Sequence, residues 1–231
     1  MGGRGAGSGA SGGGNTLQVK SVVVQSGNTV DLSAFPLTYG KPDSAISGNA
    51  RAAVEAFEQS HLKSKTEYGV LLDANGNQVY TAHGGRGSVG MPHFMYQQSA
   101  IMSHNHPRGK GSENSLGGTF SSGDLSVFSR TAVTTMRASA AEGTYSITKG
   151  PGFDKTKFAA FATKTQSIRQ SKYRSKIKAL GKEYQQGNIT YGQYSARADR
   201  EFNHMLVGLH NDLLAGQKQY GYTYTLERRS P

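Results

Sequence analysis

Cysteine is absent from the 231 residues. Its absence removes disulfides, thiolate metal sites and cysteine nucleophiles from consideration, and it fits a reducing compartment. Long apolar runs are absent too: none approaches the roughly 20 residues that a membrane span needs. The opening stretch, MGGRGAGSGASGGGNT, has no apolar segment of the secretory kind. These absences lead to the expectation of a soluble, cytoplasmic protein with no membrane partner. Apolar residues make up only 35% of the chain, and glycine accounts for 31 positions. A core can still form if part of the chain stays outside it.

Acid is also in short supply: 15 Asp and Glu stand against 26 Lys and Arg, for a net charge of +11. The imbalance is uneven. Residues 1–150 carry 12 basic against 9 acidic side chains, whereas residues 151–231 carry 14 against 6. A basic helical segment of this sort suits nucleic acid or an acidic protein face, although a solvated helix surface has the same composition.

Residues 1–15 read as a disordered Gly/Ser tail, unable to repay the entropy of ordering. LQVKSVVVQSG alternates and reads as a strand. DLSAFPLTYGKPDSAISG, with two prolines, reads as a loop. Asn49–Lys63 has helical spacing, with Asn49 as its expected cap. TEYGVLLDANGNQVYTAHGG predicts a hairpin turning at Asn75-Gly76. QQSAIMSHNHP predicts a short buried strand that ends at Pro107, followed by a polar glycine-rich loop. SSGDLSVFSRTAV predicts a helix with a serine cap, and GTYSITK another strand. Beyond Gly150-Pro151-Gly152, Phe158, Phe161, Ile168, Ile177, Leu180 and Tyr184 mark one face of a long helix. After a break at QGNIT, Tyr191 to Leu213 marks a second helix. The pair predicts an antiparallel helical hairpin, closed by a strand at YGYTYTLER. The domain division that follows is 1–15 tail, 16–150 catalytic-type domain, and 151–231 basic helical hairpin with terminal strand.

The stretch Met102–Gly109, MSHNHPRG, carries the chemistry. Alternate side chains of a strand share a face, so His104 and His106 point together and Asn105 points away. Two imidazoles side by side can hold a metal ion once an oxygen ligand joins them. Asp124, on the first turn of the following helix, is the candidate. Three protein ligands and one open position are the catalytic arrangement, and two imidazoles with a carboxylate suit Zn2+. Glu67, just before YGVLL, is placed to act as a base. Ser121, three residues before Asp124, offers a hydroxyl to a developing oxyanion. Ser121-x-x-Asp124 is equally a helix capping box, and the two roles are compatible.

Glu67, His104-x-His106-Pro107 and Ser121-x-x-Asp124 together resemble the JAMM signature of the JAB/MPN metalloproteases. SHNHP is similar to the HNHP of RadC-like members, and FSSGDL to the matching segment of isopeptidase members. The resemblance covers roughly Thr66 to Lys149. It implies an α/β fold of the JAB/MPN, cytidine-deaminase-like type: a mixed curved sheet flanked by helices. It also implies a zinc-dependent metallopeptidase or isopeptidase that hydrolyses an amide bond in a protein or peptide substrate. In that role His104, His106 and Asp124 are zinc ligands, Glu67 is the general base and Ser121 the oxyanion partner. The interval from His106 to Asp124 is longer than in the usual motif, with GKGSENSLGG resembling an insertion. The loop, the glycine-rich start and the basic tail also resemble JAB-domain proteins encoded among phage or prophage head genes. That likeness implies a role in head maturation, a capsid or portal partner, and a virion-associated location.

His61, His83, His93, His204 and His210 have no such company and read as ordinary residues. Tyr191, Tyr194, Tyr220, Tyr222 and Tyr224 read as packing. Two further readings stand beside the peptidase. One is a catalytically silent head-assembly protein that keeps the fold. The other is a nucleic-acid-associated protein using residues 151–231, whose binding would weaken steeply with salt.

Overall fold

The structure is a computed structural model and describes residues 20–24, 29–46, 48–107 and 114–228. The tail expected at residues 1–15 and part of the insertion-like stretch lie outside the described residues. Strands β1 (Ser21–Val23) and β2 (Thr29–Asp31) form a small antiparallel ribbon. The main sheet has six strands: β3 (Tyr68–Leu72), β4 (Gln78–His83), β5 (Ile101–Asn105), β6 (Thr135–Ala140), β7 (Gly143–Lys149) and β8 (Tyr222–Glu227). Their order is β4-β3-β5-β6-β7-β8. All neighbours are antiparallel except β5 and β6, which are parallel. A parallel pair requires a crossover. Here the crossover contains helix α3 (Ser122–Arg130), the element that carries Asp124.

The remaining helices are α1 (Gly48–His61), the single turn α2 (His93–Tyr96), α4 (Lys155–Gln185) and α5 (Tyr191–Tyr220). The fold is therefore a mixed α/β arrangement, a six-stranded mixed sheet flanked by helices. Among the described residues, no helix is long and apolar enough to cross a membrane.

The expected helical pair is present, and its boundaries follow from capping. Thr190 Oγ1 accepts a hydrogen bond from the Gln193 amide while the Thr190 amide donates to Gln193 Oε1, which starts α5. Gly221, at φ 69°, ends it in the left-handed conformation that glycine adopts without steric cost. The chain then turns directly into β8, which pairs along β7 from Tyr222↔Lys149 to Glu227↔Thr144. Phe158, Ala162 and Leu213 of the helical pair share one buried cluster with Met102, Phe128, Met136 and Ile147 of the sheet and α3. Residues 151–228 thus contribute both a strand and a helical layer to the structure that holds the histidines.

Several elements depart from the sequence reading, among them β2 and α2, which it did not expect. The expected helix from Ser121 stops at Arg130, and TMRASA forms β6. Its residues do alternate, Met136, Ala138 and Ala140 against Thr135, Arg137 and Ser139, but methionine, arginine and alanine are strong helix formers, which masks the pattern. Helix α1 starts at Gly48, one residue before the expected cap at Asn49.

Arg137 also shows what the two faces of the sheet do. Met136, Tyr145, Ile147, Tyr222, Tyr224 and Leu226 pack into the apolar cluster beneath the helices. The alternate residues carry hydroxyls and charges, buried under α1 and the segment before it. Arg137 is 1% exposed. Its Nε and Nη2 donate to Glu58 of α1 at 2.7 and 3.1 Å, and its Nη1 and Nη2 donate to Glu227 of β8 at 2.8 and 3.1 Å. Arg51 adds a second cation against Glu227 at 3.3 Å. Asp43 accepts from the hydroxyls of Ser146 and Thr148.

Replacing Arg137 with Met would strand two buried carboxylates. The expected loss is about 3–5 kcal/mol of unfolding free energy, read from urea denaturation, with part of it recovered when Glu58→Gln is added. A second expectation concerns His210, on the buried side of α5. Burial lowers its pKa from 6.5 to about 4, opposed weakly by the Thr38 backbone. The folded chain therefore binds fewer protons than the unfolded chain between these values. Stability present above pH 6.5 is lost as pH falls toward 4, by about 3 kcal/mol. The wild-type minus His210→Gln difference in unfolding free energy should follow that slope.

Candidate metal centre

Strand β5 is buried along its whole length, so its alternation is strictly enforced. His104 belongs to the face beneath the helices. His106 lies just past the strand end, but its amide still donates to the Ser139 carbonyl at 2.7 Å. The backbone therefore stays extended and both rings reach the same side. Pro107 follows, with no amide to continue the ladder. The two Nε2 atoms come within 2.9 Å. Asp124 joins them, with Oδ1 3.5 Å from His104 Nε2 and Oδ2 3.8 Å from His106 Nε2. Ligand atoms of the three residues all lie within 4.8 Å of one another. Donors held at 2.0–2.1 Å around a tetrahedral zinc are about 3.3 Å apart, and the observed separations bracket that value.

Second contacts orient this set. His106 Nδ1 lies 2.9 Å from the Gly118 carbonyl. A carbonyl only accepts, so Nδ1 carries the proton and, in the neutral ring, Nε2 is the nitrogen whose lone pair is left for an ion. Gly118 is itself held, because Glu142 accepts from the amides of Gly117 at 3.0 Å and Gly118 at 2.6 Å. Tyr145 donates to the same carboxylate at 2.9 Å. Gly118 has φ 78°, and an added Cβ would lie 2.6 Å from Leu206 of α5, so the position requires glycine. His104 differs: its Nδ1 is buried without a hydrogen-bond partner among the described residues.

Asp124 is fixed by the helix start. The Ser121 amide donates to Asp124 Oδ2 at 2.7 Å, and the Asp124 amide donates to Ser121 Oγ at 3.3 Å. The capping box and the ligand position are thus one structure, and Oδ1 is left toward His104. Burial alone would raise the Asp124 carboxyl. The adjoining His104, His106 and the Ser121 hydrogen bond outweigh it and hold the group well below the ordinary carboxylate range. Burial would likewise lower His104, but Asp124, then Glu67 and Glu58, raise it above the usual value. The acids surrounding the imidazoles favour positive charge at this point.

Glu67 is buried, at 8% exposure, and lines the same cavity as His106, Ser121 and Asp124. Its backbone is tied to the hairpin by Gly84 and Gly85. Asn105, between the two histidines, supplies a second tie. Its Oδ1 accepts from the Tyr68 amide at 2.6 Å and its Nδ2 donates to the Thr66 carbonyl at 3.0 Å. One side chain therefore clamps the backbone on both sides of Glu67. All five residues singled out from the sequence, Glu67, His104, His106, Ser121 and Asp124, come to this one place.

Sequence reasoning missed Asn105, Glu142 and Tyr96. Asn105 could have been found from its parity, opposite to the histidines. Glu142 sits at a turn and carries no local signal. Tyr96 lines the cavity, and burial, then the Asp124 charge, raise its hydroxyl pKa.

Searches against family models, curated proteins and solved structures find no match to this chain.

A divalent ion is expected to bind with one equivalent per chain, and binding should be lost in His106→Ala and Asp124→Ala. Glu142→Gln frees the Gly117-Gly118 loop and with it His106 Nδ1. Its expected effect is a metal affinity 10- to 100-fold weaker, read by competition with a chromogenic chelator, with the fold retained.

Proposed function

We propose that this protein is a zinc-dependent peptidase or isopeptidase of the JAB/MPN kind, hydrolysing an amide bond in a protein or peptide. The observation that carries the reading is the convergence of two imidazole nitrogens and a carboxylate, in a cavity also lined by a buried glutamate and a helix-cap serine. His104, His106 and Asp124 would hold the ion, which when bound supplies Lewis acidity to a carbonyl and acidifies water. Glu67 takes a proton from the attacking water and delivers it to the leaving amine. Asn105 fixes the backbone from which Glu67 projects. Ser121 Oγ already accepts from the Asp124 amide, so its hydroxyl proton is the group it offers to the developing oxyanion. In the setting implied by the phage likeness, the substrate is a head protein.

A protein or mixed-peptide substrate should be cut by the zinc-supplemented protein. Glu67→Gln should lower the rate 10²- to 10⁴-fold while binding zinc as the wild type does. A Glu67→Gln protein with wild-type activity would contradict the reading.

One observation favours an additional polyanion contact. Lys172, Arg174, Lys176, Lys178 and Lys182 are exposed on α4. Glu183, the only acid on that helix, is bridged to Arg197 at 2.5 Å. Neutralising five phosphates would give a salt-dependence slope of about −4.5 on duplex DNA. Lys176→Ala with Lys178→Ala should reduce the slope by about 2, and oligonucleotide binding unaffected by salt would exclude the contact.

A further inference from the structure

The cavity at the metal centre extends well beyond the ligands. Its volume is about 520 Å³, within the range of pockets that enclose small molecules rather than single waters. Its polar lining includes His106, Asp124, Ser121 and Glu67, with Gln166 and Gln170 of α4. Its apolar lining comes from α5 through Phe202, Met205, Leu206 and Leu209, and from Val89 and Met91 in the segment after β4. Among the described residues, the side chains lining this space that are ionisable near neutral pH are His93 and the candidate catalytic and ligand residues. A charged side chain seated against the α5 residues would lose water, and those residues offer it no opposite charge. An apolar one would exchange water for methyl, thioether and aromatic contacts.

Both walls are positioned by the fold. Gly69 of β3 lacks the Cβ that would otherwise lie 2.2 Å from the Met91 methyl and 3.3 Å from Val89, so these side chains settle over the strand. On the far side, Leu206 is in contact range of Gly118, whose carbonyl orients His106. Gln166 of α4 donates to the Phe120 carbonyl at 3.0 Å, which joins the helical pair to the segment leading into Ser121. The apolar wall is therefore continuous with the groups that would act on an amide.

From this geometry we infer that the cavity is a specificity pocket for an apolar side chain flanking the scissile amide, seated between Met91 and the α5 residues Phe202, Met205, Leu206 and Leu209. The inference rests on the peptidase reading for the identity of its occupant as a peptide. It assigns the helical pair a role in substrate selection. Leucine, methionine and phenylalanine are the side chains whose size and chemistry suit the space. Lysine, aspartate and glutamate are excluded by desolvation.

Methionine methyl groups provide the test, because Met91, Met102 and Met205 line the cavity. The zinc-supplemented Glu67→Gln protein, labelled at its methionine methyls, is titrated with acetyl-Gly-X-Gly-amide peptides. With X as Leu or Phe, the Met91 and Met205 signals should shift at concentrations at least tenfold lower than with X as Lys or Asp. Met205→Glu, at a partly exposed position, should abolish the preference while the zinc content stays at the wild-type level. Equal affinity for all four peptides, or a preference that survives Met205→Glu, would overturn the inference. Shifts that follow protein concentration without peptide would overturn it too, by making a second copy the occupant. The two readings fail separately. Selective binding of apolar peptides that the wild-type protein never cleaves would sink the peptidase, and cleavage indifferent to the flanking residue would sink the pocket.

Discussion

Strand β5 is buried on both faces, and the alternation of its side chains is the constraint from which the rest of the structure follows. A strand sends successive residues to opposite sides. Met102 and His104 face the helical layer, and His106 is held in the same phase by Ser139. Ser103 and Asn105 face α1. Ser103 donates to Glu58 at 2.9 Å and so enters the Arg137 cluster, while Asn105 clamps the segment of Glu67. A slip of one residue would turn both imidazoles away from Asp124 and bury them against the charge network. The central position of β5, between β3 and β6, makes such a slip costly, because it would break ladders on both sides.

The sheet divides its work between its faces. One is apolar and carries the cluster under α3, α4 and α5. The other buries ionised groups, which is tolerable only where charges are paired and hydrogen-bonded. Arg137 meets that condition with two carboxylates, and Arg51 partly balances the second. The cluster ties α1, β6 and β8, elements far apart in the chain, to one point. It gives the polar face a fixed geometry in return for a modest net stability. The candidate metal site uses the same principle on the other face: Asp124 and the two imidazoles lie close together, and Glu67 adds its charge nearby.

Much of the site was legible because its determinants are local. His104 and His106 are two residues apart on a strand, and Ser121 and Asp124 are three apart at a helix start; both spacings have direct structural meaning. Glu67 required the family likeness, since nothing in TEYGVLLD itself demands a glutamate facing a cavity. The hairpin at Asn75-Gly76, the long helices and the final strand were legible from turn residues and periodicity. Strand β6 was not, because its methionine, arginine and alanines favour a helix locally, and the partners that bury Arg137 are 79 and 90 residues away in sequence. Glu142 was missed for a related reason. Its role lies in two backbone amides of the Gly117-Gly118 loop, and backbone amides leave no mark on the residue that accepts them. The part played by α5 in walling the cavity was equally invisible. A helix of this composition reads as a packed face, whether it covers a core or a pocket.

The account stands on His104, His106 and Asp124 sharing one ion. X-ray absorption at the zinc edge, on protein supplied with one equivalent of Zn2+, tests this most directly. The expected spectrum shows two imidazole nitrogens at about 2.0–2.1 Å with oxygen completing a four-coordinate shell, and the imidazole scattering falls in His106→Ala. A shell of oxygen alone, unchanged in that variant, would contradict the account.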